Sequence, residues 1–219
     1  MRLLNEIADL FFPKSCPICG NTIKTSRTVC FECESKIPPL NRENKIGGKW
    51  YFDELFYRAA YGSMMGELIR AYKYGPHPSI GSLLTDLFVE MFETFHPLPN
   101  STITVVPITF RSYKEKGFDH MYLIGKELSK KVEIPFLKLL DISKQTRSQV
   151  GSSNVERMSL VDGKYSVRYK DLYRTCGNII LIDDVFTTGS TVNECSKILK
   201  EAGAKNVCVY TLAKAKMLK

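Results

Sequence analysis

With 219 residues, 44% of them hydrophobic and 25% charged, the chain has the composition of a globular protein, long enough for one large core and a small appendage. Its 31 basic and 23 acidic residues leave a net charge of +8, which favours phosphate-bearing partners, nucleic acid among them. No apolar run approaches the ~18 residues of a membrane span, and Glu6 and Asp9 interrupt the N-terminal apolar stripe with no small-residue cleavage site after it, so neither a membrane span nor a signal peptide is expected and a cytoplasmic location is.

In chain order, Leu3, Leu4, Ile7, Ala8, Leu10 and Phe11 fall near one face of a short amphipathic helix. Cys16, Cys19, Cys30 and Cys33 follow as two Cys-x-x-Cys knuckles. That spacing suits a tetrahedral structural zinc site better than a redox pair, which would not need two knuckles. Pro38, Pro39 and the polar stretch from Asn41 to Lys49 read as a linker, placing a boundary near residue 45 between an N-terminal helix and ribbon (1–45) and a larger domain (46–219).

In the larger domain the pattern predicts a strand over Leu55 to Tyr61 and helices over Gly66 to Tyr74 and Gly81 to Phe95. Lys73, between two tyrosines and ahead of Gly75, is a candidate phosphate contact, with a solvated helix lysine as the alternative. Thr102 to Ile108 reads as a buried strand, and the segment leaving it carries Arg111, Lys114 and Lys116, three cations suited to a pyrophosphate. A helix over Asp119 to Lys131 comes next. The polar stretch from Ser143 to Lys164, with Gln149 and Arg157, is either a loop or a lid. A strand at Tyr165 to Arg168 and another at Asn206 to Leu212 complete an α/β alternation, while Cys176, Cys195 and Cys208 read as small buried hydrophobes.

The most informative stretch is 179–191. Ile179 to Ile182 form an apolar run expected of a strand buried on both faces of a parallel sheet. Asp183 and Asp184 fall at its carboxyl end, where open α/β sheets bind ligands. Thr187, Thr188, Gly189, Ser190 and Thr191 then lead into a helix running to about Ala202, so hydroxyls and free N–H groups converge on an anion site. A sugar phosphate fits both halves, the acids taking ribose hydroxyls or a hydrated magnesium ion. An ordinary βα unit with solvated aspartates is the alternative.

Position by position, 179–191 resembles the phosphoribosyl-pyrophosphate (PRPP) signature of type I phosphoribosyltransferases. The resemblance implies their fold, a mainly parallel sheet flanked by helices with a flexible hood. It implies Asp183 and Asp184 as candidate catalytic acids on the ribose hydroxyls, Thr187 to Thr191 around the 5-phosphate, and Mg²⁺ accompanying PRPP. Thr187 stands where members acting on 6-oxopurines carry an aspartate, so such a substrate is not expected.

The four-cysteine ribbon, Tyr72-Lys73-Tyr74, the basic segment ending Lys116-Gly117-Phe118, Gln149 with the later Arg157, and the signature together resemble the ComF family of competence-related proteins. Where that family usually shows Arg-Gly-Phe-Asn-Gln, this chain has Lys116, Gly117, Phe118, Asp119 and His120, and Leu160 replaces a common asparagine. The resemblance implies a link to DNA uptake and single-stranded DNA handling, with DNA-uptake proteins as possible partners. Two readings stay open: an enzyme transferring phosphoribose from PRPP to a nitrogen acceptor, and a DNA-linked protein that keeps the pocket for binding.

Overall fold

The structure is a computed structural model, and it describes residues 14–23, 27–43, 45–46, 50–62, 64–75, 77–143, 164–168 and 177–215. The expected N-terminal helix, Gln149, Arg157 and Cys176 lie outside these residues. The elements are α1 (Phe31–Glu34), β1 (Lys45–Ile46), β2 (Glu54–Ala60), α2 (Met64–Tyr74), α3 (Ser79–Phe95), β3 (Ser101–Val105), α4 (Phe110–Lys116), α5 (His120–Val132), β4 (Leu140–Ile142), β5 (Tyr165–Val167), β6 (Asn178–Phe186), α6 (Ser190–Glu201) and β7 (Asn206–Lys214).

A five-stranded sheet in the order β1-β2-β7-β6-β3 carries the fold. β2, β7, β6 and β3 run parallel, and the two-residue β1 closes one edge antiparallel. β6 is paired on both sides and its side chains alternate between two apolar layers. Ile180 and Ile182 join Tyr210 and Leu212 under the α2–α3–α5 side. Ile179 and Leu181 join Val207, Val209, Cys195 and Leu199 under α6. Burial on both faces is why the run is continuously apolar instead of alternating with polar residues.

Helix limits follow local chemistry. The side chain of Asp119 accepts from the backbone N–H of Tyr122 to start α5, and that of Thr109 accepts from Ser112 to start α4. Gly117 ends α4 at φ 79°, a left-handed conformation that glycine adopts without penalty. Two expectations change. The stretch read as a linker includes β1, because Lys45 and Ile46 pair with Phe56 and Leu55. The strand at Tyr165 leaves the main alternation and pairs antiparallel with β4, a three-residue strand too short to show a period.

The ribbon packs against the body. Cys16, Val29, Cys30 and Cys33 belong to the same apolar cluster as Phe56, Leu84 and Met91. Buried Arg58 joins the two, donating to the Pro38 carbonyl and pairing with Glu90 at 3.0 Å.

Candidate PRPP site and zinc centre

β6 continues as a strand through Phe186, so Asp183 and Asp184 sit within its last turns of pleat and not beyond its end. Alternation sends their carboxyls to opposite faces. Asp184, 8% exposed, faces the α2–α5 side, where its Oδ2 meets Nε2 of His120 and Nζ of Lys73, each at 2.6 Å. Burial opposes its charge, but the His120 hydrogen bond and the Lys73 ammonium win and hold the carboxyl down at about 2. Asp183 behaves oppositely. Burial, and then the neighbouring charge of Asp184, push it up to about 8, against the Asp184 N–H that donates to its Oδ1 at 2.9 Å. The two acids are therefore unequal: Asp184 is already saturated with donors, and Asp183 is the one that gains from a hydroxyl or a cation.

This inequality has a stability consequence. Asp183 binds its proton more tightly in the folded chain than at the ordinary value of 3.8, so its contribution to stability falls as pH rises from about 4 to about 8. Asp183→Asn, with no ligand present, is expected to match the wild type near pH 4 and to be the more stable protein at pH 8.5. Urea denaturation at the two pH values checks this, and parallel pH profiles would refute it.

Lys116, at the end of α4, joins the cluster: burial and then Lys73 lower its pKa, while Asp184, Asp183 and Asp119 oppose that shift. Of the cations expected near a pyrophosphate, the structure thus gathers Lys73 and Lys116 around the acid pair. Arg111 and Lys114 lie on the exposed side of α4. Arg111 is paired with Glu115 one turn on at 2.8 Å, and the Lys114 ammonium sits 4.9 Å from the Phe110 ring centre. His120 escaped the sequence reading as a site residue. Its only signal was the departure at Asp119 and His120 from the usual Asn-Gln.

The phosphate-cradle segment leaves Thr187, Thr188 and Ser190 exposed at the N-terminus of α6, with Thr191 half-buried. The Thr188 and Ser190 hydroxyls lie 2.8 Å apart. Gly189 caps the helix at φ 80°, and a Cβ there would lie 2.7 Å from Cζ of Phe186 and 3.1 Å from Cη2 of Trp50. Close packing on a ring, besides any approach of a phosphate, therefore requires the glycine. Trp50 stacks on Phe52 at 5.3 Å, and both meet Phe186 edge-on, forming a rigid aromatic floor under the loop. Gly189→Ala is expected to cost about 1–3 kcal/mol from left-handed strain and ring displacement. A fall in thermal midpoint would show it, and an unchanged midpoint would contradict the packing.

At the other end, Sγ atoms of Cys16, Cys19, Cys30 and Cys33 all lie within 4.8 Å of one another. The backbone N–H of Cys30 points to Sγ of Cys16 at 3.4 Å, as expected where sulfur carries negative charge. The set fits structural Zn²⁺, and with four protein thiolates it leaves no open coordination position.

Residues 7–44 match the double zinc ribbon domain family. Competence protein F of Haemophilus influenzae is 33% identical over 54% of this chain, and the match spans 52%, about half, of that protein. Competence protein ComFC of Streptococcus pneumoniae is 24% identical over 91% of this chain and 99% of its own length. The DNA utilization protein YhgH of Escherichia coli K12 is 27% identical over 91% of this chain and 83% of its own. Among the described residues no helix is long and apolar enough to cross a membrane. With its N-terminal match to the double zinc ribbon domain, its mainly parallel sheet, and relatives matched over nearly its whole length, the chain is similar to the ComF-type competence and DNA utilization proteins.

Proposed function

We propose that the chain binds PRPP at the end of β6 and serves the handling of incoming single-stranded DNA. The observation that carries the first half is the convergence of Asp183, Asp184, Lys73 and Lys116 with the hydroxyl-rich turn at the start of α6. Asp183, partly buried and without a cation at contact distance among the described residues, accepts a ribose hydroxyl. The turn 187–191 receives the 5-phosphate, its hydroxyls and the first N–H groups of α6 supplying donors. Lys116 and Lys73 face the pyrophosphate, Lys73 by leaving Asp184 when a more highly charged partner arrives.

Mg²⁺ fits this arrangement through Asp183, since Asp184 already holds two donors, and when bound it would neutralise part of the pyrophosphate charge. The names of the relatives, competence protein and DNA utilization protein, support the second half, as does the net charge of +8. Residues 1–45 are assigned to the ribbon unit and 46–219 to the PRPP-binding unit.

The intact acid pair favours a second reading, transfer of phosphoribose to a nitrogen acceptor with expulsion of pyrophosphate. Incubation with PRPP, Mg²⁺ and a panel of free bases separates the two. Pyrophosphate release with any base establishes the enzyme; saturable PRPP binding with no release from the panel supports the binding role.

A further inference from the structure

Beside the acid pair lies a cavity of about 550 Å³, within the range of small-molecule sites. Its walls include the rings of Tyr72, His77 and Phe118 and the side chain of Leu123, with Lys116 and Glu127 as charged groups. Tyr72 and Phe118 meet edge-on at 5.5 Å, and Tyr72 lies flat against α3, where a Cβ on Gly81 would come within 2.8 Å of its ring. Tyr72, 5% exposed, is thus fixed by packing, and the half-buried His77 and Phe118 supply the more accessible aromatic surface.

The two charged groups differ. Glu127 is engaged, accepting from the Ser82 hydroxyl at 2.9 Å and pairing with Lys131 at 3.0 Å. Lys116 makes no ion pair among the described residues; its ammonium stands 6.0 Å from the centre of the exposed Tyr74 ring. Apart from Lys116, which belongs to both, the cavity is set off from the acid pair. Between them stands a wall one ring thick, Tyr72 against His120 at 6.4 Å, and His120 in turn holds Asp184.

We propose that this cavity is a second ligand site that takes a nucleoside monophosphate, its base against Tyr72, His77 and Phe118 and its phosphate at Lys116. Planar aromatic walls favour a base, because every base offers a π-face. A partly buried ammonium without a contact ion pair among the described residues favours an anionic group on the same ligand. The free nucleotide and the phosphorylated end of a DNA strand share this chemistry. The assignment does not rest on PRPP binding.

The probe is deoxyadenosine monophosphate (dAMP), titrated calorimetrically into the full chain. Saturable binding is expected, weakened about tenfold when deoxyadenosine, which lacks the phosphate, replaces it. Leu123→Trp, placed at the half-exposed rim, should fill the mouth and lower dAMP affinity at least tenfold while leaving the thermal midpoint and PRPP affinity unchanged. Lys116→Gln should reduce binding of dAMP and not of deoxyadenosine. Competition by a 5′-phosphorylated oligonucleotide would identify the strand end as a source, and its absence the free nucleotide. The proposal is overturned if dAMP does not bind, if Leu123→Trp binds it like the wild type, or if Asp183→Asn with Asp184→Asn abolishes it. Retained dAMP binding in a wild-type protein that fails to bind PRPP would instead sink the PRPP reading alone.

Discussion

A protein carrying Asp183→Asn and Asp184→Asn is expected to bind PRPP at least a hundredfold more weakly than the wild type. Hydrogen bonds to a charged group contribute about 1.5–3 kcal/mol each, and losing two of them corresponds to a factor of roughly a hundred or more. The carboxyls also set the geometry. With Asp184 neutral, His120 and Lys73 lose the partner that both meet at 2.6 Å, and the Lys73 ammonium is free to move. Affinity for single-stranded DNA should stay equal or rise, since two acids that repel a phosphate backbone are gone. That DNA binding should fall with salt at roughly −0.7 log units per phosphate neutralised, per log unit of salt. Filter binding of a labelled oligonucleotide at several salt concentrations, beside the PRPP titration, reads both effects. Parallel loss of PRPP and DNA affinity would mean that the two ligands share the acid pair.

Cys30→Ser should release the zinc and unfold the ribbon. Structural zinc in small domains contributes about 10–16 kcal/mol of apparent binding free energy, which is folding free energy where the segment has little core of its own. Among its described residues the ribbon has Cys16, Val29, Cys30 and Cys33 as its buried apolar side chains, and these join the cluster of the body. Loss of the ribbon should therefore also uncover apolar surface of the cluster it shares with the body and remove the Pro38 carbonyl from Arg58. The body is expected to remain folded with a lower thermal midpoint. Elemental analysis and limited proteolysis check this: cleavage should concentrate in residues 14–35. Stoichiometric zinc in the Cys30→Ser protein would contradict the four-thiolate centre.

What could be read ahead of the structure follows a physical division. Local patterns were legible. The apolar run at Ile179 to Ile182, the glycine before Ser190 and the two cysteine knuckles each state their structure within a few residues. Long-range pairings were not. Lys73 reaches Asp184 across more than a hundred residues of chain, and no periodicity in either segment encodes that contact. The same holds for Trp50 beneath Gly189, where the glycine was expected from phosphate approach and its packing against Phe186 came only with the fold. The acid pair read as one unit because adjacent residues look alike in sequence; pleating of a strand that runs on to Phe186 gives them different neighbours and opposite pKa shifts. Arg111 and Lys114 looked equivalent to Lys116, yet helix geometry turns them outward, and Glu115 four residues after Arg111 was the available sign of that for one of them.

The most direct test uses Trp50, the one tryptophan in the chain, which touches the aromatic floor under the phosphate turn. Titrating the wild type with PRPP and Mg²⁺ while following tryptophan fluorescence should give a saturable change, because occupancy of the Thr187–Thr191 turn alters the packing of Gly189 on Trp50 and Phe186. The change should be absent at the same concentrations in the Asp183→Asn, Asp184→Asn protein. No saturable response in the wild type, with calorimetry equally silent, or an undiminished affinity in the double variant, would contradict PRPP binding at the end of β6.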